Sequence, residues 1–127
     1  LARDIADSTV ELLKRPPVQP PTAFADLVEE SRRSLSAALT AFADADADKA
    51  RWVLQSDDRI DDDEALVIRE SLERIRTEPE SSEAALQHIL IAKCLERVGD
   101  HATNIAEDVI MVAESVNLKH AGKLGGE

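Results

Sequence analysis

Cysteine is nearly missing from this chain: Cys94 stands alone, which excludes an internal disulfide and a multi-thiolate zinc site and is compatible with a reducing cytoplasm. Proline and glycine are scarce, five and four among 127 residues. Three of the glycines fall in the last six positions, and four of the prolines lie between Pro16 and Pro21. The interior is left to Ala, Leu, Glu, Asp and Arg, an all-helical profile. Positive charge is short as well, with 15 Lys and Arg against 26 Asp and Glu, for a net charge of −11. Nucleic acid is therefore excluded as a partner, since phosphate backbones are bound by clustered Lys and Arg; cations and basic protein surfaces suit the chain better. No apolar run reaches transmembrane length and no signal peptide is visible, so no direct membrane insertion is expected. A chain of this size buries one modest core and forms a single domain.

The pattern divides the chain into four parts. Residues 1–14 read as the tail of a helix with apolar or small residues at Ala2, Ile5, Thr9 and Leu12. Residues 15–21, Arg-Pro-Pro-Val-Gln-Pro-Pro, form a stiff extended linker. Residues 22–117 hold three antiparallel helices with short turns, a three-helix bundle. The first carries Phe24, Val28, Ser31, Leu35, Ala38 and Phe42 at alternating steps of four and three. Asp46 or Asp48 caps the second, which runs to about Arg76, and Thr77-Glu-Pro-Glu80 has capping-box spacing for the third. The third has its seam at His88, Ile91, Leu95, Val98, Ala102, Ile105, Val109, Val112 and Val116. Residues 118–127 read as a flexible tail. The N-terminal helix must dock on the bundle or on a neighbouring chain.

Two sets of carboxylates stand out. Glu96 and Asp100 on the third helix, with Glu107 below them, project roughly opposite the apolar seam. Residues four apart on a helix are neighbours, so this pair repels unless something positive sits between them. A solvated face also accounts for such a pair. On the second helix the apolar arc runs through Val53, Ile60, Val67, Ile68, Leu72 and Ile75, and Asp57, Asp61 and Glu64 project into it. Burying an unpaired carboxylate costs several kcal/mol, so these acids sit at a wet edge, pair with Arg or Lys, or hold a metal. Asp58, Asp62 and Asp63 are assigned to the outer face. The pairs Asp57 with Asp61 and Glu96 with Asp100 supply all-oxygen ligands from rigid elements. That donor set suits Mg, Mn, Ca or ferrous iron, and bridging carboxylates allow more than one ion.

Leu1 to Ser8, LARDIADS, repeats the second half of Glu96 to Asp108, ERVGDHATNIAED. Ala2 falls on Ala102, Asp4 on Asn104, Ile5 on Ile105, Ala6 on Ala106 and Asp7 on Glu107. This register leads us to expect a C-terminal portion of a two-repeat protein, with the end of a first repeat at its N-terminus. With Leu95-Glu-Arg-Val-Gly-Asp-His-Ala-Thr-Asn-Ile-Ala-Glu107, Asp57-Asp-Arg-Ile-Asp61 and the proline linker together, the chain resembles the PhoU family of regulators of bacterial phosphate uptake and phosphate-starvation signalling. The resemblance implies tandem three-helix bundles and divalent metal, singly or in clusters, at the matching positions Asp57, Asp61, Glu96 and Asp100; Fe, Mn, Mg and Zn are the candidate ions. It also implies a cytoplasmic negative regulator that contacts the phosphate transporter's ATPase subunit and a sensor histidine kinase, and a homo-oligomer. Asp63 and Glu64 depart from the family pattern, which has an apolar or aromatic pair shortly after the second Asp.

Other functions are weighed by single features. A di-iron oxidase needs Glu-x-x-His pairs, and the residues three before His88, His101 and His120 are Ala85, Val98 and Asn117. A phosphotransfer histidine domain needs an exposed reactive His. His88 reads as a core-edge residue, His120 lies in the tail, and His101 is at most an accessory ligand. Cys94 reads as a small core residue. A metal-free helical dimerisation module and a PhoU-like domain of a sodium-phosphate cotransporter remain as alternatives, and no enzyme activity is expected.

Overall fold

The computed structural model describes residues 1–125, with side chains to Gly122. It is all-α: α1 spans Ala2–Leu13, α2 Phe24–Asp44, α3 Ala47–Thr77 and α4 Ser82–Gly125, with a 3₁₀ turn at Pro79–Ser81 before α4. Helices α2, α3 and α4 form the antiparallel bundle. Asp46 is the cap that starts α3, its carboxylate accepting from the Lys49 N–H at 3.0 Å. The turn before it is closed by Ala45 in the left-handed region, φ 53°, while the Asp46 N–H donates to the Ala41 carbonyl at 2.9 Å.

The turn between α3 and α4 departs from the capping box expected at Thr77. Thr77 is the last residue of α3, and its hydroxyl donates to the Glu73 carbonyl. Glu78 precedes a proline, which disfavours the helical region, and it adopts φ −131°, ψ 73°. Pro79 then opens the 3₁₀ turn, and Ser82 donates its hydroxyl to the Pro79 carbonyl at 2.7 Å.

The buried line of α2 is Leu27, Ser31, Ser34, Ala38 and Ala41, which keeps Ser31 and Ala38 of the expected stripe and replaces its other members by Leu27, Ser34 and Ala41. Val28 and Phe42 of that stripe are exposed, Phe42 at 69%. Small side chains at the centre let the helices approach closely, and the bulky residues are displaced to the flanks. On α3 the buried line is Ala50, Val53, Ser56, Ile60, Val67 and Ser71, while Leu72 is exposed. The α4 seam holds from His88 to Val109, but Val112 and Val116 are exposed and line an open groove with Phe42, Ala45 and Ala47 at the α2/α3 turn. Helix α4 also continues to Gly125 rather than ending at Asn117.

The core forms two apolar clusters. One joins Leu27, Ile60, Val67, Ile91 and Leu95, and the other joins Ala38, Ala41, Val53, Ala102, Ala106 and Val109. Between them along each helix lie small residues, Ser31 and Ser34 on α2, Ser56 on α3 and Gly99 on α4. His88 is buried at the first cluster, its ring edge-on to Phe24 at 5.3 Å. The N-terminal helix docks on this same chain. Ile5 and Leu12 pack on the first cluster, the α1 backbone lies against α4, and Arg15 pairs with Glu83 in the first turn of α4. The linker is held by α3, where Glu70 accepts from the Thr22 N–H and hydroxyl, and Arg74 donates to the Gln19 carbonyl. Among the described residues no helix is long and apolar enough to cross a membrane.

Candidate metal centre

The wide buried arc of α4 touches both α2 and α3, and this brings the carboxylates together. Glu96 is half-buried at the α3 edge of α4, not opposite the seam as its position in the heptad suggests. Asp57 and Glu64 are half-buried on α3, and Asp61 and Asp100 are more exposed on the same seam. Five carboxylates thus line the junction of two helices. The sequence-derived set Asp57, Asp61, Glu96 and Asp100 shares one electrostatic neighbourhood, and Glu64 joins it. Among the described residues Lys93 is the one cation that shifts any of these groups, its ammonium 3.8 Å from Glu64.

This crowding moves the carboxyls in one direction. Burial, then a hydrogen bond donated to Asp100, then the charges of Asp100, Glu64 and Asp61 push Glu96 from 4.5 up to about 7. Asp57 is raised by burial first and then by Asp61 and Asp100; Asp61 is raised by burial and then by Asp100. Glu64 is raised by burial, against the opposing pull of Lys93. These are the signatures of partly desolvated like charges that share a seam with one exposed lysine as counter-ion. Two oxygens are orphaned: Asp57 Oδ1 and Glu64 Oε2 are buried and accept no hydrogen bond.

Asp63 is not on the outer face. It is half-buried against α2, where burial and the charges of Asp26 and Glu30 raise it. His101 is exposed and follows Asp100 by one residue, a turn of about 100° away from the seam. Glu107 is likewise exposed further along α4.

Gly99 was not singled out by sequence reasoning. It is buried between Glu96 and Asp100, and a Cβ there would lie 3.0 Å from Ile60 Cδ1 and 3.7 Å from Asp57 Oδ1. The signal was present, because a glycine inside a strong helical pattern costs about 1 kcal/mol against alanine and asks for a packing reason.

The donors are hard oxygens throughout, the chemistry that divalent cations of the Mg, Mn or ferrous class take, and two of them on α3 are unpartnered. Among the described residues no three His, Cys, Asp or Glu side chains already stand grouped as a cation cage. The five carboxylates are spread along the seam, as mutually repelling anions are.

An antiparallel three-helix bundle with facing Asp/Glu-x-x-x-Asp pairs on two of its helices defines a class of all-α, carboxylate-bearing modules. The PhoU domain family matches residues 24–109, from the start of α2 to the last core residue of α4, and the chain belongs to that family. It is 42% identical over 94 residues to the phosphate-specific transport system accessory protein PhoU homolog 1 of Thermotoga maritima, covering 74% of this chain and 40% of that protein. The Pseudomonas putida PhoU homolog is 37% identical over 94 residues, 74% of this chain and 37% of its own length. The Xylella fastidiosa (strain 9a5c) homolog is 29% identical over 111 residues, 87% and 47% of the two chains. The chain therefore spans less than half the length of these relatives, and α1 lies outside the family match.

Proposed function

We propose that this chain is the cation-binding bundle of an accessory regulator of phosphate transport. It acts in the cytoplasm as a negative regulator of phosphate uptake and phosphate-starvation signalling, through the transporter's ATPase subunit and a sensor histidine kinase. Membership of the PhoU family and the names of the relatives support the transport role. The observation that carries the cation reading is the seam of five carboxylates with two buried, unpartnered oxygens and one marginal counter-ion.

Asp57 and Asp61 from α3 and Glu96 and Asp100 from α4 would hold the ion, with Glu64 at the rim. A bound divalent ion supplies the positive charge that lets these carboxylates stay ionised at close range. The chain's own residues do the rest. Gly99 and Ile60 keep the helices in contact, and the carboxylates tie α3 to α4 so that the surface they share keeps one shape. The site acts by holding a recognition surface and turns over no substrate.

The test is a starvation-gene reporter read in phosphate-replete cells that carry Glu96→Ala/Asp100→Ala in the intact gene. Derepression with unchanged protein abundance is expected. Normal repression would mean that these carboxylates are dispensable for signalling.

A further inference from the structure

We propose that the open groove at the α2/α3 turn seats a second copy of this chain, with residues 108–120 of α4 in each copy lying antiparallel to those of the other. The inference is independent of the carboxylate seam along α3, so its failure leaves the cation reading untouched.

Helix periodicity supplies the surface. Along α4 the seam that is buried at Ala102, Ala106 and Val109 continues in steps of three and four to Val112 and Val116. A strip of that spacing is suited to face another helix. Here its cover within the chain gives way: Val112 is 63% exposed, Val116 47%, and Phe42 on the opposite wall of the groove 69%. Bulky apolar side chains gathered in one concave strip mark an interaction surface, unlike the same residues scattered singly.

Charge selects the occupant. Asp108 lines the groove, with Glu107 before it. About three turns further along the same helix, past the apolar strip, stand Lys119 and His120. Among the described residues neither Asp108 nor Lys119 has an ion-pair partner. The strip is acidic at one end and basic at the other, so it is complementary to itself when turned end for end. A two-fold axis near residue 114 achieves this, setting Val112 against the partner's Val116 and Asp108 against the partner's Lys119 and His120. A parallel pairing would set Asp108 on Asp108 and Lys119 on Lys119. Glu114 lies about 200° around the helix from both valines and is exposed, so the axis brings no like charges together there. The net charge of −11 opposes association at long range, but physiological salt screens it beyond about 8 Å and leaves the local pairs to set the orientation. The contact is a few helical turns long, which makes the dimer weak and concentration-dependent.

Sedimentation equilibrium of the 127-residue chain at physiological salt, up to about 1 mM, reads the dimer, and circular dichroism reports whether each variant is folded. Val112→Glu/Val116→Glu charges side chains that are already exposed in the single copy, so the fold is kept and the dimer is lost. Asp108→Lys sets like charges at both ends of the strip and raises the dissociation constant on the order of tenfold. Asp108→Lys/Lys119→Asp exchanges the two ends and restores it. A wild-type chain that stays monomeric overturns the proposal, whether the groove takes another protein or nothing. A dimer that survives Val112→Glu/Val116→Glu lies elsewhere on the molecule and overturns it too. So does a dissociation constant that Asp108→Lys leaves unchanged, or one that the added Lys119→Asp fails to repair. If the valine variant does not fold, the two charge variants, at exposed positions, decide alone.

Discussion

Replacing Glu96 by Gln should stabilise the cation-free protein at neutral and higher pH, the reverse of what deleting a polar contact does. Burial first, and then the neighbouring carboxylates, raise the Glu96 carboxyl from 4.5 to about 7, so the folded state binds its proton more tightly than the unfolded chain does. Between those two values the native form holds more protons, and stability falls as pH rises. Sustained over that interval, the shift amounts to about 3 kcal/mol, and water at this half-exposed edge reduces it to roughly 1–2 kcal/mol. Asp57, Asp61, Asp63 and Glu64 are raised too and add to the fall. Glu29 and Glu70 are lowered by their partners Arg32 and Thr22, so their contribution is lost only as pH falls through their folded-state values, below this window. Urea unfolding in chelator from pH 5 to pH 8 is the assay. The wild type should lose roughly 1–2 kcal/mol across that range. Glu96→Gln should flatten the slope and exceed the wild type by about 1 kcal/mol at pH 8. An unchanged slope, or a variant less stable than the wild type at pH 8, would refute the idea that Glu96 is held as an uncompensated charge.

Two further outcomes test the fold. Leu27, fully buried, should cost about 3 kcal/mol on substitution by alanine, whereas Phe42, 69% exposed, should cost under about 0.5 kcal/mol; chemical denaturation of the two variants checks the order, and equal losses would contradict the packing of α2. Asp46→Ala should remove about 1 kcal/mol by leaving the Lys49 N–H without its side-chain acceptor, measurable as a drop in the urea midpoint and reversed by Asp46→Asn.

The all-helical class and the three-helix bundle were legible from periodicity and from the confinement of proline and glycine, and the Asp-rich turn narrowed the α3 cap to Asp46 or Asp48, of which the structure selects Asp46. The exact face of α2 was not. The stripe placed Ser31 and Ala38 correctly, but it also held Val28 and Phe42, which are exposed, and close approach of three helices selects Ser34 and Ala41 in their stead. The Thr77 box failed because Pro79 dictates the backbone of the residue before it. For the proposed site, residue spacing singled out Asp57, Asp61, Glu96 and Asp100, and the fold places all four along the α3/α4 seam. It did not reveal that Glu96 turns toward α3, that Asp63 faces α2, or that Gly99 packs against Ile60. Each of those depends on which neighbour a helix face meets, and a single helix's periodicity carries no such information.

The cation reading stands or falls on elemental analysis combined with calorimetry of the 127-residue chain, purified without chelator, beside Glu96→Ala/Asp100→Ala. Uptake of a divalent ion by the wild type, with affinity lost in the double variant while both remain folded, is the expected result. A wild-type chain that carries no Mg, Mn, Fe or Zn in any preparation and takes up none on titration would contradict it, and the seam would then be a strained anionic surface whose counter-charge comes from elsewhere.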